Sequence, residues 1–474
     1  MNGISPSSLR SRARLVPALL AALSAAALLA PGLRAEEVQR ADLPPLAAAP
    51  PPADPAPAAP SPAGPASPAP QTAPAPKPPA KPAQAAPAPA QVAAPKPKPI
   101  PPPEPTISQD PRPSYHPDSA GMILQAADLY GAIVARGGWP TIPEGPAIKP
   151  GGSSPLVPLV RQRLAIEGDL TDIASDEVLD PALAAAIRRF QARHGLPASG
   201  ILGPATVKAM NVPAEDRQRA LLFSAQRLSA SNFGFGARHL VVNIPSAAVE
   251  AVENGAVARR YVAVVGDPDH PSPTVEAKVG AINFNPTWTV PVSIIKNEII
   301  PKMRKDPGYL AKSRIRMLDA QGQEVDPAKI DWSTERAVNF TLRQDPGAGN
   351  SLGVVRIAMP NRHAVYMHDT PSKRLFGRDM RFLSHGCVRV AGVLDLAAWL
   401  LGPQGWDRTA VDAAVASNER KDVNLRAVVP VAWVYLTGFV TPDGTVNFRE
   451  DVYRLDRPEP ADLVTTATIA PVTR

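Results

Sequence analysis

The feature that most limits what this chain can fold into is a proline tract: between Ala41 and Tyr115, 75 residues hold 28 of the 60 prolines in a sequence of 474 residues. The tract has no Trp or Phe and few branched aliphatics, so it cannot bury enough apolar surface to offset the entropy of ordering it. Lys77, Lys81, Lys96 and Lys98 are spaced among Pro and Ala with almost no glycine. That composition favours extended polyproline II at about 3.1 Å per residue, a reach on the order of 200 Å. Residues 36–115 therefore read as a disordered Pro/Ala-rich linker, a tether or plain spacer. The foldable part starts near His116, long enough for two or three domains at roughly 100–200 residues each.

Ahead of the tract, Arg10, Arg12 and Arg14 precede an apolar run from Leu15 to Ala30, and Ala35 closes a small-residue segment. Residues 1–35 read as an export signal that is cleaved. The apolar run falls short of the roughly 20 residues that span a bilayer; an uncleaved anchor is the alternative, and the only case in which a membrane is a partner. The formal charge of +7 divides unevenly, with 10 Lys/Arg against 6 Asp/Glu in residues 1–115 and 40 against 37 in the remainder. A folded region at +3 gives no case for nucleic acid. One cysteine excludes an intramolecular disulfide and any multi-thiolate metal site.

Residues 116–154 predict a helical scaffold segment, with Met122, Leu124, Leu129 and Ile133 at helical spacing and Gly137-Gly138-Trp139-Pro140 as its stop. In residues 155–213, Val157, Leu159, Val160 and Leu164, then Leu183, Ile187 and Phe190, then Val207 and Met210 fit three short helices. This block has no cluster of acid, base and nucleophile, so binding is the better expectation. A connecting helix falls in residues 214–236. From Ala237 the period becomes two: Leu240, Val242 and Ile244 alternate, and Asn254-Gly255 marks a hairpin with a type I′ turn. Thr441 to Thr445 marks another, while Ser293–Lys312 and Val393–Leu401 read as helices. The fold class is α+β and multidomain: a β-rich catalytic domain with helical insertions over residues 237–456, a small three-helix domain, and a tail over residues 457–474.

The lone cysteine sits in Ser384-His385-Gly386-Cys387-Val388-Arg389, and 19 residues before it stands His368, within Val365-Tyr366-Met367-His368-Asp369-Thr370-Pro371. In a strand ending at Asp369, alternation projects Tyr366 and His368 together. A thiol attacks as its thiolate, and a neighbouring imidazole supplies the base that forms it and later protonates a leaving amine. Gly386 permits a tight turn, so that N–H groups around Gly386 and Cys387 can converge on an oxyanion. Arg389 stands close enough to favour the thiolate or bind a carboxylate. Two other readings compete: Cys387 as a buried structural thiol, and a zinc site built from His363, His368, His385 and Cys387. The zinc set is disfavoured because His363 and His368, five apart in a strand, face opposite ways. Spacing leaves both His368 and His385 open as the base.

The Ser-His-Gly-Cys-Val-Arg run with His-Asp-Thr-Pro upstream resembles the L,D-transpeptidase catalytic (YkuD) domain. The wider pattern resembles its large Gram-negative periplasmic subfamily: Val241 to Pro245, Asn285-Pro286-Thr287-Trp288-Thr289-Val290-Pro291, Pro346-Gly347 with Asn350-Ser351-Leu352-Gly353, and Gly444 with Phe448-Arg449, Asp451 and Tyr453. The central block is similar to peptidoglycan-binding domains in Phe190-Gln191, Gly195-Leu196, Gly200, Gly203, Thr206 and Ala209. It departs from them where His194 stands in place of an acidic residue before the first loop glycine.

The resemblance implies Cys387 as nucleophile and His368 as the proton acceptor and donor, oriented by a backbone carbonyl near Asp369. It implies an oxyanion hole from His385, Gly386 and Cys387, with Tyr366 nearby and His385 in a supporting place. Arg389, Ser384, Asn285 and Trp288 are the implied substrate-binding residues, and a lid covers the site from Asn285 to about Trp332. The implied activity joins stem peptides of peptidoglycan by 3-3 cross-links through a thioester, in the periplasm, without cofactor or metal. Penicillin-binding proteins or carboxypeptidases that supply tetrapeptides are the implied partners. An L,D-carboxypeptidase, attachment of a lipoprotein, and a non-catalytic wall-binding protein are the alternatives.

Overall fold

The computed structural model describes residues 108–171 and 175–457, all within one compact unit. The expected signal, the linker up to residue 107 and the tail beyond residue 457 lie outside the described residues. The last stretch expected as linker, residues 108–115, is ordered. Pro111 O accepts from Val257 N at 2.7 Å, Arg260 donates to the carbonyls of Ser108, Asp110 and Arg112, and Ser114 N donates to the buried Glu250 carboxylate at 2.9 Å. Composition could not show this, because the partners lie about 140 residues downstream.

Helix α1 (Ser119–Ala135) packs against α5 (Ala214–Ser229). Between them in sequence, α2 (Val157–Ile166), α3 (Pro181–Arg193) and α4 (Pro204–Met210) enclose a core of Val160, Leu164, Leu183, Ile187, Phe190, Val207 and Met210. Helix α3 starts where the sequence says it should: Pro181 takes the first turn and the Asp180 carboxylate accepts from Leu183 N at 2.8 Å.

Strands β1 (Arg238–Asn243), β2 (Ala248–Glu253), β3 (Ala256–Gly266) and β4 (Val275–Phe284) begin the catalytic domain. Asn254 and Gly255 both take positive φ, 51° and 82°, as a type I′ turn requires. An insertion follows: β5 (Trp288–Thr289), α6 (Val292–Ile294), a π-helical turn (Ile295–Ile299), α7 (Ile300–Lys305), α8 (Tyr309–Lys312), β6 (Ile315–Leu318) and β7 (Thr341–Gln344). The chain then returns through β8 (Val355–Ala358), β9 (Met367–His368), β10 (Phe382–Ser384), β11 (Val388–Val390), α9 (Val393–Leu401), α10 (Arg408–Ala416) and β12 (Lys421–Val434), and ends in the hairpin of β13 (Gly438–Val440) and β14 (Val446–Phe448).

Nine strands pair in the order β10-β3-β11-β9-β8-β4-β12-β1-β2, and β2 also pairs with β3, which closes the sheet into a barrel with β10 attached outside the ring. Alternate residues such as Val242, Ile282, Ile357, Met367, Val388 and Trp433 point into one core, together with α9. Strands β5, β6 and β7 form a separate three-stranded sheet over its own core of Val290, Ile295, Ile299, Met303, Leu310 and Leu342. The expected lid, Asn285 to about Trp332, is therefore a subdomain that runs to Gln344, because β7 is its central strand.

The helical block joins the barrel through a buried junction. The His194 ring stacks on Phe190 at 3.8 Å and lies 5.6 Å from the Phe448 ring of β14; Arg449 donates to Arg193 O at 3.0 Å. Beside it Glu167, 1% exposed in its side chain, takes Arg163 and Arg193, each at 2.6 Å, and the Tyr130 hydroxyl at 2.7 Å. Burial alone would raise this carboxyl, but Arg193 and Arg163 hold it down at about 2. A depressed carboxyl stabilises the fold above its unfolded pKa, and that contribution fades as pH falls from about 4.5 towards 2. Glu167→Gln leaves the buried Arg163 guanidinium without its anion and Arg193 with Asp169 alone. It is expected to cost about 3–5 kcal/mol at pH 7 in urea unfolding, and to flatten the loss of stability between pH 5 and 2; an unchanged midpoint would show the network to be dispensable.

Candidate active site

Strand β9 lies between β8 and β11. Across the antiparallel pair Ile357 stands opposite Met367 and Arg356 opposite His368; across the parallel pair Val388 stands opposite Met367 and Arg389 opposite His368. Ile357, Met367 and Val388 fill the barrel core. The alternate set, Tyr366, His368, Arg356, Arg389 and Cys387, consequently shares the other face. Val388 N donates to Tyr366 O at 3.1 Å, which brings Cys387 level with Tyr366. The Tyr366 hydroxyl lies near the Cys387 thiol and Trp288 of the lid, and its ring lies 5.6 Å from that of His368.

His368 is buried, and its Nδ1 bonds to the Asp369 carbonyl oxygen. Donation from Nδ1 leaves Nε2 as the basic nitrogen. Asp369 is itself anchored: its carboxylate accepts from Val354 N at 3.1 Å and pairs with Lys373. Gly353 makes that packing possible, with φ 62° and a position where a Cβ would lie 2.3 Å from Asp369 Oδ2. The Cys387 loop is held in a similar way. Gly386 has φ 98°; Ser272 Oγ donates to Gly386 O at 2.8 Å and Ser384 Oγ to Cys387 O at 2.5 Å. Ser272 is fixed in turn, since Tyr453 OH accepts from its N–H and donates to Gly266 O at 2.6 Å.

Burial pushes the Cys387 thiol up, against the pull of Tyr366, Arg389 and Arg356. Burial and then Arg389 push the His368 imidazole down to about 3. Both shifts favour the neutral thiol and the neutral imidazole.

The sequence expectations fare unevenly. Tyr366, His368, Cys387, Arg389 and Trp288 come together. His385 turns to the lid, with Nε2 3.1 Å from Glu298 of the π-helical turn, which separates the two histidines that spacing left open. Ser384 is not a substrate-facing residue: it is 1% exposed and its hydroxyl is committed to the Cys387 carbonyl. Asn285 is 2% exposed and donates to the carbonyls of Ala414, Val415 and Glu419, so it roots the insertion instead of meeting substrate. His363 lies in an exposed turn rather than in the strand assumed for the zinc set. Arg356 and Ser272 were missed; the alternation of β8 after Gly353 could have indicated Arg356, whereas nothing local marks Ser272.

Two outcomes follow. The rate of Cys387 alkylation by iodoacetamide should keep rising with pH past 9; a plateau reached below pH 7 would mean a preformed thiolate–imidazolium pair. Gly353→Ala should displace Asp369 and with it His368, lowering turnover about 100-fold while Cys387 stays reactive to alkylation; unchanged turnover would show that this contact does not position the base.

Residues 237–429 match the family model "L,D-transpeptidase catalytic domain" and residues 153–210 match "Putative peptidoglycan binding domain". A curated relative from Haemophilus influenzae, described as "Putative L,D-transpeptidase", is 35% identical over 239 residues, 50% of this chain and 48% of the relative, so the chain spans about half of that protein's length. Among solved structures, the L,D-transpeptidase from Xylanimonas cellulosilytica is 15% identical, covering 61% of this chain and 98% of that one at TM-score 0.21. The L,D-transpeptidase from Mycobacterium smegmatis is 17% identical, covering 42% and 58%, also at TM-score 0.21. The domain that carries the Cys387 loop and β9 is thus the part of the chain that matches the L,D-transpeptidase catalytic domain.

Proposed function

We propose that this protein is a peptidoglycan L,D-transpeptidase that forms 3-3 cross-links through a thioester on Cys387. The observation that carries the reading is the shared face of Cys387, Tyr366 and His368, with His368 Nδ1 tied to Asp369 and Nε2 left free. The thiol attacks the carbonyl at the L-centre of residue three of a donor tetrapeptide as its proton passes to His368 Nε2. The oxyanion is met by N–H groups of the loop around Gly386 and Cys387, whose carbonyls Ser272 and Ser384 hold. Collapse breaks the peptide bond, His368 returns the proton to the departing amine, and the thioester remains. The side-chain amine of a second stem then attacks and regenerates the thiol.

The lid favours an amine over water in that second step. It has its own apolar core, and Trp288 from its first strand reaches Tyr366 directly above the thiol. The match of residues 153–210 to a peptidoglycan-binding domain supports wall polymer as the setting and a location outside the cytoplasm. Among the described residues no helix is long and apolar enough to cross a membrane.

Muropeptide analysis of sacculi incubated with the wild-type protein should show 3-3 linked dimers. Cys387→Ala should form none, and His368→Ala should lose about 10²–10⁴-fold. Dimers formed by Cys387→Ala would exclude the thioester route, and tripeptides in place of dimers would make water the acceptor.

A further inference from the structure

We infer that Arg356 and Arg389 form a carboxylate clamp for the residue that leaves the donor stem, with Arg356 as a specificity-determining residue. The inference rests on the donor chemistry proposed above. In the sheet register both arginines are partners of His368, Arg356 through β8 and Arg389 through β11. His368 is thus flanked in the sheet by two arginine positions on the face that carries the thiol. Arg356 also lies 5.1 Å from the centroid of the Tyr366 ring.

Neither cation is satisfied by the protein. Both side chains are half-buried, and the Nε of each is buried without a partner among the described residues. A buried donor left unmade is costly. The nearest carboxylates are committed elsewhere: Asp422 to Arg420 at 2.9 Å and Asn283 at 2.8 Å, Glu298 to Lys302 at 2.8 Å and His385 at 3.1 Å. Arginines that hold this fold together can also leave one buried nitrogen without a partner, as Arg163 Nη2 does, but the rest of their guanidinium is bonded. Arg260 bonds the Glu250 carboxylate and three carbonyls, and Arg163 bonds Met210 O and Glu167. Two neighbouring cations without an anion, flanking the proton-transfer group, suit an anionic substrate group.

The position selects which anion. His368 must reach the nitrogen of the leaving residue, and in an α-amino acid the carbon next to that nitrogen bears the carboxyl group. When the leaving residue is C-terminal, its carboxylate lies within roughly 4 Å of the nitrogen that His368 protonates. Arginine matches a carboxylate with two parallel N–H donors, which a neutral amide cannot accept equally well. A donor extended by one residue carries no charge at that point. The clamp therefore selects a donor with one free-acid residue beyond the attacked carbonyl.

The test uses the full-length protein, whose single cysteine makes intact mass a reading of Cys387 alone. Iodoacetate and iodoacetamide are the same electrophile with and without a carboxylate, so the ratio of their rates, relative to that for free cysteine, cancels any change in thiol acidity. In the wild type this ratio should be raised severalfold. Arg356→Gln should lower it about tenfold, the scale of one charge-assisted hydrogen bond, and Arg356→Lys should keep part of it, while alkylation of Arg356→Gln by iodoacetamide that persists, slowed only by the loss of a cation beside the thiol, shows an intact site. A wild-type ratio equal to that of free cysteine, or a ratio indifferent to Arg356→Gln, overturns the clamp.

A second arm compares a donor tetrapeptide with its C-terminal amide. The wild type should lose about tenfold in kcat/KM on the amide, chiefly through KM, and Arg356→Gln should lose the discrimination. Equal use of acid and amide by the wild type overturns the assignment to the leaving residue. Should no stem be consumed while the iodoacetate preference stands, the proposed activity fails and the anion clamp is upheld.

Discussion

Everything at the site depends on which way two residues of β9 point. Met367 and His368 are held by hydrogen-bonded neighbours on both sides, and Met367 goes to the core with Ile357 and Val388. Once Met367 is buried, His368 has no alternative but the opposite face, and Tyr366, Cys387, Arg356 and Arg389 follow from the same alternation. A slip of one residue would exchange the imidazole for a thioether. The barrel core is thus what specifies the chemistry, and the closure of β2 on β3 removes the free edges along which such a slip begins.

Given that geometry, the electrostatics follow from burial. Two guanidinium groups beside a thiol would ordinarily favour the thiolate, yet desolvation outweighs them and the thiol is raised. Burial and then Arg389 depress His368, because an imidazolium there is dehydrated and repelled. The result is a neutral pair. A resting thiolate is open to oxidation, whereas a neutral buried thiol is comparatively inert.

The legibility of this chain in its sequence was uneven for identifiable reasons. Helices α3 and α9 and the Asn254-Gly255 turn were readable because their signals are local: a cap and a proline, an apolar run, two residues tolerant of positive φ. The Cys387 motif and the strand before Asp369 were readable for the same reason, and the family resemblance implied roles that spacing left open. What escaped depends on partners far along the chain. Residues 108–115 look like linker by composition but satisfy Arg260 and Glu250. Asn285 and Ser384 belong to motifs beside the site, and only their distant or backbone partners show that they hold loops instead of substrate.

His194 belongs with that last group, and it bears on how the two modules work together. In sequence it is a departure, standing where an acidic residue is common. In the fold its ring is sandwiched between Phe190 of the helical block and Phe448 of the barrel's terminal hairpin, and it is held neutral by burial and by Arg193 and Arg217. With Arg449 clamped over Gly195 and bonded to Arg193 O, the junction leaves the block little freedom to swing.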